Sequence, residues 1–232
     1  MTAIEIRVLS THAVSEVLGE LGPQFERATG YRLSFGYDPA NALRRQIEGG
    51  APFDVAIVTR PVIDTLAGQG KILPDSCADI GRSGLGVAVR KGAPKPDIGT
   101  TEAFKRALLA AKSVVRSKEG TSGVYFEKLL DRLGIAEAVR GKITLGPSGR
   151  IAELVARGEV ELAVQQIAEL LPVAGVDFVG PFPPDLQLYT AFSAGVGAAS
   201  KNLEAAKAFV DFIAAPSAAP LFNSNGLEPI LR

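Results

Sequence analysis

Short apolar runs alternate with amphipathic helix patterns along most of this sequence. The run FDVAIV at 53–58 is mostly apolar, as in a strand that is buried on both faces of a parallel sheet. The segment RPVIDTLAGQG at 60–70 follows it directly and predicts a helix with Pro61 near its first position. Because strands that alternate with helices are joined by crossovers, the chain predicts an α/β fold with a parallel sheet and helices on both faces.

The alternation predicts most of the secondary structure. We predict strands at 4–10, 31–37, 53–58, 113–117, 142–146 and 160–166, and helices at 13–30, 41–50, 60–70, 101–112, 122–134, 149–158 and 202–216.

Two segments interrupt the alternation. SGLGVAVRKGAPKP at 83–96 resembles a strand that runs into a turn, and LQLYTAFSAGVGAAS at 186–200 is a long extended stretch. A two-lobed protein would use such segments as its two chain crossings. We therefore predict a discontinuous lobe 1, residues 1–83 plus 188–232, an inserted lobe 2, residues 84–187, and a cleft between the lobes.

The charge balance excludes several classes of partner. The chain of 232 residues has 25 basic and 25 acidic residues and no basic run, so we expect no nucleic acid partner. We expect no membrane insertion, since no apolar run is long enough for a span, and we expect a monomer. The start, MTAIEIRVLS, enters a strand directly and has no leader features. The protein is thus expected to be cytoplasmic, or periplasmic if a leader was removed.

The sequence also argues against metals and cofactors. Cys77 is the one cysteine, so no internal disulfide can form, and its polar surroundings predict a loop residue. His, Cys, Asp and Glu never cluster at metal-ligand spacing, so we expect no metal. No Gly-rich phosphate loop and no nucleophile elbow follows a strand, and we expect no cofactor.

Polar residues follow the predicted strands, at the sheet edge where open α/β sheets bind ligands. The corners offer hydroxyls, amides, guanidinium groups and helix N-termini, which suit an anion. Taken singly, each hydroxyl could instead be an ordinary helix cap, and each arginine a surface charge. The candidate ligand residues from these corners are Ser10, Thr11, His12, Asn41, Thr59, Arg60, Thr121, Ser122, Gly149, Arg150 and Gln166, with Pro147 and Ser148 in the same corner as Gly149.

Several segments resemble one known family. NALRRQIEGGAPFDVAIVTRPVIDTLAGQGKI is similar to the segment of molybdate-binding proteins that reads S-S-x-L-x-x-Q-I-x-x-G-A-P-x-D-x-x-x-S-A. EGTSGVYFEKLLDRLGI resembles the Pro-Ala-Gly-x-Tyr helix start of these proteins, and IAELVARGEVELAVQQIAEL resembles their V-x-x-G-E-A-D-x-G region. The resemblance implies the type 2 periplasmic-binding-protein fold, which has two α/β lobes, two crossings and a cleft.

The resemblance also implies a ligand set, with changes. The first oxyanion serine of the family falls near Ser10 to His12, and the second falls at Asn41, where PANAL replaces a serine pair. Its backbone donors fall near Ser122 and Gly149, and its tyrosine falls at Gln166, where the hydroxyl is lost. Because these donors are longer, and because Arg60 and Arg150 can join them, we expect a larger organic anion than molybdate.

Two functions remain open from the sequence. The first is a solute-binding protein that presents a di- or tricarboxylate to an ABC transporter permease. The second is a cofactor-independent isomerase, since some relatives of the molybdate binders resemble aconitate isomerases, which move a double bond in a tricarboxylic acid. That reaction needs a base, and His12 is the candidate, with Arg60, Asn41 and Arg150 holding carboxylates. His12 could equally cap a helix or donate to a ligand. Binding of molybdate or another tetrahedral oxyanion, and a cytoplasmic ligand sensor, are further alternatives.

Overall fold

The computed structural model of the chain describes residues 3–146 and 149–230. Pro147 and Ser148, which the sequence analysis assigned to a strand-end corner, lie outside the described residues.

The strands and helices alternate as the sequence pattern indicates. The strands are β1 (Glu5–Ser10), β2 (Arg32–Tyr37), β3 (Val55–Thr59), β4 (Ala78–Ser83), β5 (Leu85–Arg90), β6 (Val114–Ser117), β7 (Ile143–Gly146), β8 (Leu162–Gln166), β9 (Val176–Pro181), β10 (Thr190–Val196) and β11 (Glu228–Pro229). The helices are α1 (Ser15–Thr29), α2 (Ala40–Glu48), α3 (Arg60–Gly68), α4 (Thr101–Ala110), α5 (Thr121–Arg132), α6 (Ala136–Arg140), α7 (Ala152–Ala156), α8 (Ile167–Leu170), α9 (Leu203–Ala214) and α10 (Ala219–Ser224).

The contacts divide the chain into two compact units. Unit 1 consists of Met1–Arg82 and Thr190–Arg232, and unit 2 of Ser83–Tyr189. The chain therefore enters unit 2 once and returns to unit 1 once. Each unit contains its own sheet.

The sheet of unit 1 has the strand order β11-β4-β10-β3-β1-β2. Strand β1 lies parallel to both β2 and β3, and β10 runs antiparallel to β3. All five residues of β3 are buried, as expected for a central strand. The carboxyl ends of β1, β2 and β3 meet at one edge, and Ser10, Tyr37 and Thr59 are the last residues of these strands.

The sheet of unit 2 has the strand order β7-β6-β8-β5-β9. Strand β6 lies parallel to β7 and β8, whereas β5 runs antiparallel to β8 and β9. Its two faces are covered by separate clusters of buried apolar residues, one including Phe104 and Phe126 and the other Val115 and Ile151. The ends of β6, β7 and β8 again meet at one edge.

The strands of the predicted βα units pair in parallel, and the two interrupting segments supply β5 and β10, which are antiparallel to their neighbours β8 and β3. The segment 83–96 holds the end of β4 at Ser83 and the whole of β5 from Leu85 to Arg90, with a break at Gly84. The Gln187 side chain binds both backbone groups of Leu85 just after this break: its Oε1 accepts from the Leu85 N–H at 2.7 Å and its Nε2 donates to the Leu85 carbonyl at 3.0 Å.

Other boundaries also differ from the sequence predictions. The stretch 186–200 is a strand only over Thr190–Val196, and Pro184–Leu186 form a 3-10 turn before it. The helix predicted at 149–158 covers only Ala152–Ala156. Strand β9 was missed because its residues are half-buried and show no alternation of burial.

Candidate functional site

In unit 1, Ser10 and Thr11 lie at the carboxyl end of β1 and both are buried. The Thr11 backbone N–H donates to the Ile57 carbonyl at 3.0 Å and so extends the pairing with β3. The Ser10 hydroxyl donates to the Thr11 carbonyl at 3.2 Å. The Thr11 Oγ1, in contrast, is buried without a hydrogen-bond partner in the described part of the chain. Because buried polar atoms are normally hydrogen-bonded, this hydroxyl is available to a ligand or a water molecule.

His12 belongs to an aromatic stack. It begins the 3-10 turn His12–Val14, and its ring stacks on Tyr37 with centroids 5.7 Å apart and planes at 26°. Tyr37 stacks in turn on Phe35, at 5.9 Å and 12°. Burial, together with the nearby charge of Glu16, raises the pKa of Tyr37 to about 12, so its hydroxyl stays protonated near neutral pH. The stack holds the plane of the imidazole against β2.

The other predicted residues of unit 1 differ in their burial and in their hydrogen-bond partners. Thr59 is buried at the start of α3 and makes no side-chain cap. The Arg60 side chain is 48% exposed, and its guanidinium already binds two acids: Nε donates to Asp64 at 2.8 Å and Nη1 to Asp79 at 3.0 Å. Asn41 is exposed in the first turn of α2. The structure thus brings Ser10, Thr11, His12 and Thr59 to one strand-end edge, and it gives Arg60 other partners.

In unit 2, the N-terminus of α5 lies against the end of β6. Thr121 is exposed and Ser122 is buried. The N-cap residue of α5 is Gly120, which has no side chain, so the first N–H groups of the helix are not satisfied by a capping side chain. A Cβ at Gly123 would overlap the Ser117 carbonyl oxygen and would lie 2.8 Å from the Ser117 Oγ, so only glycine allows this approach. The Ser117 Oγ is buried and has no hydrogen-bond partner among residues 3–146 and 149–230. Ser117 was missed by the sequence analysis, although it ends the predicted strand SVVRS.

Gly149 and Arg150 follow β7. Gly149 has a φ of +88°, a left-handed conformation that favours glycine. The Arg150 side chain is 76% exposed, and its Nη1 lies 3.7 Å from the Glu153 Oε1. An exposed side chain of this kind reaches into solvent and is paired weakly with an acid of its own helix region.

Three polar side chains gather at the end of β8. Gln165 is 1% exposed, and neither its Oε1 nor its Nε2 makes a hydrogen bond of standard geometry within the described structure. Gln166 is buried and precedes α8. Burial raises the pKa of Glu169, in α8, to about 7, and weaker interactions with the Gln165 side chain and the Gln166 backbone act in the opposite direction. The sequence pattern gave no reason to select Glu169 as a candidate site residue.

The described residues show no metal centre and no membrane-spanning helix. They contain no group of three or more His, Cys, Asp and Glu side chains that could hold a metal ion. No single helix within them is long and apolar enough to cross a membrane. The segments Leu203–Ala214 and Pro216–Ser224 reach that length and composition only as a pair bent by 54°.

Comparison with solved structures defines the class of fold. The periplasmic molybdate-binding protein of Azotobacter vinelandii superposes with a TM-score of 0.78 and 20% identity, over 98% of this chain and 99% of that chain. The α/β fold of the two-domain periplasmic binding proteins, predicted from the sequence, is confirmed.

The sequence comparisons then give the family. The family profile described as "Bacterial extracellular solute-binding protein" matches residues 6–228, and the chain belongs to this family. An aconitate isomerase of Pseudomonas sp is 34% identical over 97% of this chain and 88% of its own length. The molybdate-binding protein ModA of Escherichia coli is 25% identical over 96% of this chain and 88% of its own length. The resemblance to molybdate-binding proteins noted in the sequence is thereby confirmed.

Proposed function

We propose that this protein binds a small organic anion, a di- or tricarboxylate, as the solute-binding component of an ABC-type uptake system. The proposal includes a periplasmic location, as expected for an extracellular solute-binding protein, and a division into lobe 1 (1–83 plus 188–232) and lobe 2 (84–187). The ligand residues proposed are those predicted from the sequence, together with Ser117; Arg60 is left out because its guanidinium already binds Asp64 and Asp79.

The buried Thr11 hydroxyl carries the proposal. It lies at the carboxyl end of a parallel strand without a hydrogen-bond partner in the described chain, and Ser117 repeats this arrangement at the end of β6. An unsatisfied buried hydroxyl costs about 1–3 kcal/mol, and an anion that accepts a hydrogen bond from it would remove that cost. Two such donors, with the uncapped N-terminus of α5, favour an anionic ligand.

The choice of an organic anion rests on two further observations. Asn41 and Gln166 supply long amide side chains where the family resemblance implies a serine and a tyrosine. The aconitate isomerase is also more similar to this chain, at 34% identity, than the Escherichia coli molybdate-binding protein at 25%. Both observations favour a carboxylate over a compact tetrahedral oxyanion.

A thermal-shift titration tests this proposal. Citrate, trans-aconitate, a dicarboxylate, molybdate and sulfate are added separately to the full chain. At a concentration of about 100 times Kd, a ligand that binds only the folded state adds roughly 2.7 kcal/mol. For a chain of this size that raises Tm by roughly 5–10 °C. A shift with molybdate alone would contradict the proposal.

A second candidate function is an isomerase that shifts a double bond in an unsaturated tricarboxylic acid. It is favoured by the similarity to an aconitate isomerase and by the placement of His12. In this reaction His12 removes a proton from an allylic carbon and the proton returns at the other end of the allylic system, so that no cofactor is consumed. The hydroxyls at the strand ends hold the carboxylates while this occurs.

Isotope exchange separates the two candidates. Incubation of the protein with cis-aconitate in deuterated water, followed by NMR, detects both isomer formation and deuterium at the allylic carbon. A solute-binding protein without this activity gives neither signal but still shifts Tm.

A further inference from the structure

Glu169 is an acid without a cationic partner at the ligand edge of unit 2. Glu169 is half-buried, its surroundings in the protein are the main cause of its raised pKa, and no described lysine or arginine lies within ion-pair distance of its carboxylate. Acids that are crowded by protein atoms are normally paired with a cation, because an unpaired buried charge is costly. Glu169 therefore needs an explanation other than a structural ion pair.

The charged residues on the strands that pack against α8 do not supply this partner. These strands are β5, β8 and β9. Arg90 is the last residue of β5, and Asp177 of β9 pairs with Val89 at the same end of the strand. At the other end of β5, Leu85 pairs with Gln166, which directly precedes α8. Arg90 and Asp177 thus lie at the edge of the sheet opposite to Glu169.

Gln165 precedes this acid by four residues in the chain, and its amide interacts with the Glu169 carboxyl. Neither amide atom makes a standard hydrogen bond among the described residues, although the amide favours the charged form of Glu169. Strands β6 and β8 pair Val115 with Ala163, so continuing the parallel register by two residues places Ser117 next to Gln165. Within the described chain, Ser117 Oγ and both amide atoms of Gln165 are thus buried without a standard hydrogen bond at neighbouring strand ends, and the Gln165 amide also interacts with Glu169.

We propose that Gln165 and Glu169 form a donor–acceptor pair that contacts a hydroxyl or protonated carboxyl group of the ligand; this proposal rests on the proposed binding of an organic acid. A carboxamide offers both a donor and an acceptor, and a carboxyl group that exchanges its proton does the same. A hydroxyl or a protonated carboxyl satisfies both roles. A fully deprotonated tetrahedral oxyanion has acceptors only, so it leaves the Gln165 Oε1 unsatisfied and faces the charge of Glu169. The pair thus selects organic acids over molybdate.

The raised pKa of Glu169, about 7, gives this proposal a specific readout. At about pH 8 most of the free protein has this carboxyl ionised, by the usual titration relation. A bound anion favours the protonated form of a neighbouring acid, so the complex takes up a proton as it forms. Titration calorimetry in two buffers of different ionisation enthalpy measures this uptake.

The experiment compares the full-length protein with Glu169→Gln, Gln165→Leu and the control Glu137→Gln, an exposed acid of unit 2. Citrate is the organic probe and molybdate the oxyanion probe. We expect Glu169→Gln to remove most of the proton uptake on citrate binding. We expect Gln165→Leu to lower the affinity for citrate at least tenfold and to change the affinity for molybdate much less. Glu137→Gln should behave as the unaltered protein, and His12→Asn measures any separate uptake by the imidazole.

The outcomes distinguish this proposal from the one on which it rests. If the unaltered protein binds citrate but Glu169→Gln and Gln165→Leu keep its proton uptake and its citrate-to-molybdate affinity ratio, the pair contacts only an internal water and the present proposal is wrong. If the unaltered protein binds no carboxylate, the proposed function fails and this proposal fails with it. Circular dichroism and Tm establish that each variant folds.

Discussion

The two units present polar side chains at equivalent strand ends, but they satisfy them differently. In unit 1 the charges are neutralised within the unit, since Arg60 binds Asp64 and Asp79, and the available group is the Thr11 hydroxyl beside an aromatic stack. In unit 2 an amide and an acid, Gln165 and Glu169, lack strong partners. At these strand ends, the group without a described partner in unit 1 is thus a neutral hydroxyl, whereas unit 2 has an acid whose pKa is raised to about 7.

The largest effect is expected at His12. If the protein is an isomerase, His12→Asn should lower turnover by roughly 10²–10⁴-fold, because it removes the base, while affinity changes little. Turnover and Kd measured on the same preparation check this. Unaltered turnover in this variant would mean that His12 is not the base. Glu169→Gln would then be the next variant to assay.

The contact between α5 and β6 should be the most sensitive point for stability. Gly123→Ala places a Cβ against the Ser117 carbonyl oxygen, and backbone atoms cannot move aside cheaply. We expect a loss of about 3 kcal/mol, at the upper end of overpacking costs, and a fall in Tm of roughly 6–12 °C.

Gly19→Ala in unit 1 is the matched control. Gly19 lies within α1 and a Cβ there would meet no atom within 4 Å. Alanine should therefore stabilise the helix by roughly 0.5–1 kcal/mol. Equal effects of the two substitutions would contradict the close approach in unit 2.

Glu169 should make stability depend on pH. Its pKa is raised from 4.5 to about 7 in the folded state, so the folded protein holds a proton that the unfolded chain releases between these values. The contribution of Glu169 to the free energy of unfolding should be most favourable below about pH 4.5, should fall as the pH rises towards 7, and should stay level above that. Glu169→Gln should remove this slope and gain on the order of 2 kcal/mol at about pH 8, as measured by urea unfolding across pH. An unchanged slope would contradict the prediction.

The unsatisfied hydroxyls of the two units allow a direct comparison. Thr11→Val and Ser117→Ala each remove a buried hydroxyl without a described partner, so stability should stay equal or rise slightly. If these groups donate to an anion, each change should weaken binding by about 1.5 kcal/mol, roughly tenfold. Thr65→Val is the control, because the Thr65 hydroxyl already donates to the Pro61 carbonyl at 2.8 Å. A loss in only one of the two variants would assign the anion to that unit.

The fold followed from the sequence more readily than the candidate site did. The buried run at 53–58 and the helix after it predicted β3 and α3 within two residues, because local periodicity reports burial directly. The antiparallel strands β5 and β10 were not predicted to be antiparallel, since strand direction depends on long-range pairing. Arg60 looked like a ligand residue, yet Asp79, distant in sequence, binds its guanidinium. Glu169 had no signal at all, because its lack of a cation exists only in the folded unit.

Substitution of Arg60 is expected to have the smallest effect on ligand affinity. It decides whether the Arg60 guanidinium is a buried ligand contact or an exposed ion pair. As a buried ligand contact, its removal would cost about 2–5 kcal/mol of binding energy, more than tenfold in Kd. In the structure the side chain is 48% exposed and holds two acids, and exposed pairs contribute about 0–1 kcal/mol. With the guanidinium engaged in this way, we expect Arg60→Gln to change Kd for citrate by less than about threefold and stability by at most about 1 kcal/mol. Titration calorimetry of Arg60→Gln beside Thr11→Val measures both. A tenfold loss would mean that Arg60 leaves Asp64 and Asp79 for the ligand, so that unit 1 also contributes a charge to the site.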